Sequence, residues 1–122
     1  MKVDLIIKNC RIARHDGIVN AGIAVYEGKI VSIANDETLP EAKRVIDAKG
    51  KYVIPGVIDP HVHVDWPQWD FTEGTISTTK AAAAGGVTTI IDHLSGPESL
   101  VEIFEKRKSI IEEHSLVYIQ RF

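Results

Sequence analysis

His61 and His63 stand two residues apart in VIPGVIDPHVHVDW, residues 53–66. On an extended strand, residues i and i+2 point to the same face, so both imidazoles can project into one space. Neutral imidazoles are good ligands for zinc and other divalent transition metals. Two alone are too few, because a catalytic zinc usually keeps three protein ligands and an open position for water. The pattern is short and common, and two polar residues leaving a strand would give the same letters. Its surroundings favour the metal. Pro55-Gly56 and Asp59 precede it, a β-rich segment lies before it, and a β/α alternation opens after it. Asp59 shares the strand face by parity and could orient a ligand, cap backbone or pair with a cation. Asp92-His93 ends a later apolar run and is expected to face the same space. A hydrogen-bonded structural histidine is the plain reading of His93, and contact with a ligand or substrate the sharper one.

The elements that must position these residues change period near residue 54. Before it, Val3–Lys8 and Cys10–Arg14 read as strands separated by Asn9. Ala21–Tyr26 and Lys29–Ala34 flank Glu27-Gly28, a hairpin signal. Arg44–Asp47 and Tyr52–Ile54 flank a turn at Ala48-Lys49-Gly50. Residues 1–54 thus suggest a small antiparallel β unit. After it, Val57–His61 is a short apolar strand. Thr72 is a plausible N-cap for a helix to about Ala84, where alanines favour helix and allow close packing. Gly85-Gly86 supplies the stop and most plausibly serves the turn, since no phosphate-binding glycine pattern surrounds it. Val87–Asp92 has the near-continuous apolar character of a strand buried on both faces. Ser95 or Gly96 before Pro97 suggests the start of a second helix. There Leu100, Ile103, Phe104, Arg107, Ile110 and Ile111 share one face, leaving Glu102, Glu105, Lys106 and Lys108 outside. Leu116–Ile119 begins a third strand. The order β-α-β-α-β is the start of a parallel α/β barrel. Three strands cannot close eight, so the sequence is expected to be a portion of something larger.

Composition narrows the class of partner. Of 122 residues, 44% are apolar, the formal charge is −3, and charges of both signs are scattered. No basic face calls for nucleic acid, and no apolar run is long enough to span a bilayer. Met1, Lys2 and Asp4 open an alternating segment that lacks the apolar core of a signal peptide. The single Cys10 reads as a small buried hydrophobe and fits a reducing cytoplasm. His15 lies in a polar loop. His114 ends an amphipathic helix, where its partial charge suits the helix dipole.

VIPGVIDPHVHVD resembles the first metal-binding motif of the amidohydrolase superfamily, P-G-x-I-D-x-H-x-H. GTISTTKAAAAGGVTTIIDH, residues 74–93, is similar to the helix and second strand that follow it in the cyclic-amide branch. That branch includes dihydropyrimidinases or hydantoinases, allantoinases and dihydroorotases. DLIIKNCRI and GIAVYEGKIVSIA resemble the family's small β domain. The resemblance implies that residues 1–54 are the N-terminal portion of a small β-sandwich domain. It implies that residues 55–122 begin an incomplete TIM-like, metal-dependent hydrolase barrel.

It also implies that His61 and His63 bind one ion of a two-ion centre, usually zinc, and that a metal-activated water attacks a ring amide carbonyl. The family's other ligands are a carboxylated lysine, two further histidines and an aspartate that also handles the proton. All lie on later strands and none has a matching position here. Lys106, Lys108, His93 and His114 are not these ligands, so no catalytic residue is assigned. The chain alone is expected to be inactive and to self-associate through exposed strand edges and apolar faces. The intact protein is expected to be a homo-oligomer, a tetramer, acting on a small cyclic amide. HVHVDWP and IIDH resemble the dihydropyrimidinase or hydantoinase type, while AAAAGGVTT is equally at home in allantoinases. Dihydroorotases commonly carry an arginine soon after the second histidine, where this chain has Val64-Asp65. Asp65 is read as a loop residue near the site, in a pattern shared with Pro67. Trp66 and Trp69 could wall a substrate pocket or pack the loop. A truncated, non-catalytic binding or assembly module is the alternative.

Overall fold

The computed structural model describes residues 2–64, 70–94 and 99–121. It is an α/β fold that divides into two compact units, Met1–Pro55 and Gly56–Phe122.

The first unit is a single sheet of β1 (Val3–Arg14), β2 (Gly17–Tyr26), β3 (Lys29–Ala34), β4 (Ala42–Asp47) and β5 (Tyr52–Val53). The strand order is β3-β2-β1-β4, with β5 also beside β1. β2 is antiparallel to both its neighbours, but β4 and β5 run parallel to β1. The sheet is therefore mixed, not antiparallel as the alternation suggested. Alternation says which side chains face inward and is silent about the direction of the neighbouring strand.

Asn9 does not separate two strands. Ile7 packs against the cluster of Cys10, Ile12, Ala21 and Ile23, although Ile7 and Cys10 are three residues apart. Strict alternation would put Asn9 in that position. A bulge with Asn9 at φ 56° inserts the extra residue and returns Cys10 and Ile12 to the apolar face. The bulge is tied down on every side. Its backbone N–H donates to Asp36 at 2.8 Å, its side-chain amide donates to Asp47 at 2.8 Å, and its carbonyl accepts from Gly50 at 2.8 Å. Cys10 is buried and unbridged, and burial pushes its thiol up, which keeps it neutral.

The expected hairpin turn is present: Tyr26 pairs with Lys29, and Glu27 and Gly28 both have positive φ, 49° and 73°. Asp4 holds it, accepting from the Glu27 N–H and from the Lys43 ammonium, each at 2.7 Å. The Lys43 hydrogen bond, then the Glu27 N–H, hold the Asp4 carboxyl below its ordinary value of 3.8. A depressed folded value contributes stability that is complete above the unfolded value and is lost as pH falls through the folded one. Acid titration followed by circular dichroism should show an Asp4→Asn variant losing less stability below that ordinary value than the parent. Parallel acid curves would contradict this.

The second unit has β6 (Val57–Val62), β7 (Val87–Asp92) and β8 (Tyr118–Arg121), all parallel in that spatial order. The crossovers are α1 (Phe71–Ala84) and α2 (Leu100–His114), so the expected β-α-β-α-β order holds. The cap of α1 is Asp70, not Thr72: its carboxylate accepts from the N–H groups of Thr72 and Glu73. Both types cap well, and the carboxylate also suits the positive end of the helix. Gly85 N–H closes onto the carbonyls of Ala81 and Ala82, and Gly86, at φ 81°, turns the chain into β7. Ser99 caps α2 through the Glu102 N–H; the expectations for Ser95, Gly96 and Pro97 lie outside the described residues.

Val64, Ile90, Ile111 and Ile119 form the buried core, with Val62, Phe71 and Ala82 against it. Most of the alanine run is exposed, and the buried positions of α1 are Gly74, Thr75 and Thr79. Thr79 satisfies its hydroxyl by donating to the Thr75 carbonyl at 2.7 Å and accepting from the Leu116 N–H at 3.3 Å. The stripe predicted for α2 is inward from Ile103 onward, but Leu100 is exposed. In β7, Ile90 and Asp92 are buried and Val87, Thr89 and Ile91 only partly, so the strand is less enclosed than expected. Among the described residues, no helix is long and apolar enough to cross a membrane.

Gly56 leads into β6 against Thr88 of β7, and a Cβ there would lie 2.1 Å from the Thr88 hydroxyl and 2.7 Å from its Cβ. Gly56→Ala should therefore destabilise the second unit by about 1–3 kcal/mol, measured by denaturant unfolding. A change under about 0.5 kcal/mol, the scale of an ordinary surface substitution, would show that β6 is free to shift.

A candidate metal centre at the end of strand β6

Pro60 lies inside β6, where the pairing with β7 is irregular between Asp59 and Val62. A proline has no N–H to give a ladder and settles at such a place. His61 lies within this irregular step, and pairing resumes at Val62 with Asp92 just before His63. The Nε2 atoms of the two histidines lie 3.3 Å apart, with ring centroids at 5.1 Å and planes at 76°. The parity argument from the sequence is thus met in space, although His63 stands one residue beyond the strand.

His93 lies just past β7 and locks this arrangement twice. Its carbonyl is 2.9 Å from His63 Nδ1, and a carbonyl only accepts, so Nδ1 carries the proton. Neutral His63 then presents an unprotonated Nε2 toward His61. The His93 ring stacks on that of His61 at 4.1 Å and 15°. His93 Nε2 is 3.2 Å from the Pro60 carbonyl, to which it donates. His93 is therefore a packing and hydrogen-bonding partner of both histidines. Its Nε2 is engaged by the Pro60 carbonyl.

The spacing suits a metal. Two nitrogens each about 2.0–2.1 Å from one zinc at a tetrahedral angle stand about 3.3 Å apart. That matches the observed Nε2 separation, with the His63 proton on Nδ1 and its Nε2 an acceptor. The described residues hold no group of three or more His, Cys, Asp or Glu that could bind an ion, so this region offers two donors. Asp59 does not join them: its carboxylate caps the His61 N–H at 3.2 Å. The expectations for Asp65, Trp66, Pro67 and Trp69 lie outside the described residues.

Asp92 departs from the sequence reading, which had it face the same space as His93. It is fully buried among the core side chains, and its Oδ1 accepts from the N–H of Val64, the residue after His63, at 3.2 Å. Arg107 of α2 brings Nη1 to 3.9 Å from Asp92 Oδ2 and its guanidinium carbon to 4.4 Å above the Phe71 ring. The signal available in the sequence was Arg107 itself. An arginine on an apolar helix stripe is seldom buried without a partner.

Residues 44–98 match the amidohydrolase family. An L-hydantoinase of Paenarthrobacter aurescens is 46% identical over 90 residues, 73% of this chain and 20% of that protein. An allantoinase of Salmonella choleraesuis is 45% identical over 92 residues, 75% of this chain and 20% of that protein. The solved L-hydantoinase (dihydropyrimidinase) of Arthrobacter aurescens superposes with a TM-score of 0.86 at 36% identity. It covers 98% of this chain and 27% of its own. The chain is similar to the amidohydrolase superfamily, in its cyclic amidohydrolase branch. It spans about a fifth of the length of the curated relatives it matches. Nitrogen-resolved NMR of the metal-free protein should find His63 as the Nδ1–H tautomer. An Nε2–H tautomer would contradict the role given to the His93 carbonyl.

Proposed function

We propose that this chain supplies His61 and His63 as two ligands of a divalent metal centre, zinc by ligand type, in a hydrolase that opens cyclic amide C–N bonds. The observation that carries the reading is the 3.3 Å approach of the two Nε2 atoms beside a His63 tautomer fixed for metal binding. A bound divalent ion would supply Lewis acidity toward water and an amide carbonyl. The chain's own residues hold and orient. His63 is fixed in rotation by its Nδ1–H bond, and His61 by the stacked His93 ring. Further ligands, a proton-transfer group and the second ion of the family's centre would come from outside this segment.

Residues 1–54 are read as the N-terminal portion of a small β-sandwich domain and 55–122 as the start of a TIM-like barrel. The parallel order β6-β7-β8 and the likeness to the L-hydantoinase structure over 98% of the chain support this. The substrate is read as a small cyclic amide of the hydantoin or dihydropyrimidine type, and the assembly as a homo-oligomer, a tetramer. The free Cys10 supports a reducing, cytoplasmic setting. Allantoinase activity is the second reading, favoured by a 45% identity to an allantoinase that nearly equals that to the L-hydantoinase.

The test is a panel of hydantoin, dihydropyrimidine and allantoin hydrolysis by the protein expressed whole, with metal content measured in parallel. His61→Asn and His63→Asn should each lower kcat/KM by more than the roughly 10–100-fold that loss of an outer partner costs, and should lower bound metal. Activity that survives both substitutions, or full metal content in both, would overturn the reading.

A further inference from the structure

We propose that Asp92 and Arg107 are a positioning pair that holds the peptide after His63, and so sets the geometry with which His61 and His63 meet their metal. This rests on the assignment of those histidines as ligands. Three observations converge on it. Asp92 is a carboxylate with no exposed surface, on the strand that gives Ile90 to the apolar core of Val64, Ile111 and Ile119. A charge in that setting is strongly disfavoured unless it is paired and hydrogen-bonded. Its Oδ1 accepts the N–H of Val64, itself fully buried, at 3.2 Å. Arg107, whose side chain is 11% exposed, approaches Oδ2 at 3.9 Å while lying over Phe71 at the start of α1.

The chain of contact therefore runs from α2 through Asp92 to the peptide next to His63, with Phe71 as its floor. The acid is on the side of β7 that packs against the helices, and His93, the next residue, turns to the histidine side. One short stretch of β7 thus restrains the end of β6 from both sides: Asp92 grips Val64 N–H, and the His93 carbonyl grips His63 Nδ1. Asp92 reaches the histidine pair through the Val64 peptide. A leucine in its place would fill the core and leave the Val64 N–H buried without its acceptor, so packing alone does not call for an acid here.

The experiment measures Zn²⁺ affinity of the whole protein by competition with a chromophoric chelator. The variants are Asp92→Asn, Arg107→Lys, Phe71→Leu and His61→Asn, each with its Tm. An Ile103→Val variant serves as the control, because Ile103 is buried on α2 one turn before Arg107 and the change removes a methyl group without altering charge or a polar group. Asp92→Asn and Arg107→Lys should each weaken Zn²⁺ binding by about 10–100-fold. Ile103→Val should leave it within twofold at a comparable loss of Tm. Phe71→Leu, which keeps apolar volume and removes the ring, should weaken it a few-fold. A variant carrying both Asp92→Asn and Arg107→Lys should be no weaker than the weaker single, as expected of one unit. Affinity within twofold of the parent in both Asp92→Asn and Arg107→Lys, with His61→Asn defective, would overturn the positioning role alone. So would a loss that simply follows Tm through Ile103→Val. A parent that binds no Zn²⁺, or a His61→Asn variant that binds it normally, would overturn the ligand assignment and this role with it.

Discussion

Two imidazole nitrogens held 3.3 Å apart cannot both turn lone pairs to one another without a proton or a cation to share. Nearly every local feature of the second unit serves that approach. His63 Nε2 is the unprotonated nitrogen because the His93 carbonyl takes the proton side of the ring. In the metal-free chain the remaining attraction requires His61 to donate. An ion replaces that proton, in keeping with the release of protons when metals bind. The rings do not have to travel, because their backbone and stacking partners already hold them.

The constraint reaches outward through ordinary packing. Gly56 has no side chain because β6 enters against Thr88. Pro60 and His61 sit at the irregular step of the ladder, and pairing resumes at Val62 just before His63. Parallel strands deliver the ends of β6 and β7 to the same edge, which is why His93 meets His61 and His63 although some thirty residues separate them. The first unit is built on a different device. A bulge at Asn9 lets one long strand pair with β4 over its first half and with β5 over its second, and the turn between those partners meets the bulge through Gly50.

What the sequence made legible follows from range. The spacing of His61 and His63, the Glu27-Gly28 turn and the Gly85-Gly86 stop are local, and their residue types carry the geometry. The parallel pairing of β4 with β1 is a non-local choice that alternation does not encode. Asn9 looked like a break because a bulge and a turn favour the same residue types. Asp70 and Thr72 are both good caps, and only the placed N–H groups separate them. The Asp92–Arg107 contact joins a strand end to the middle of a helix, so neither residue announces its partner. The resemblance to cyclic amidohydrolases was legible because its motif is contiguous around the histidines. The remaining ligands of such a centre are not, because they belong to other strands.

The account stands on one ion shared by His61 and His63. The most direct measurement is an anomalous difference map at the zinc edge, from crystals of the protein expressed whole. The account predicts a peak about 2.0–2.1 Å from both Nε2 atoms, with His63 Nδ1 still bonded to the His93 carbonyl. An empty space between two ordered rings, or a zinc bound elsewhere, would contradict it.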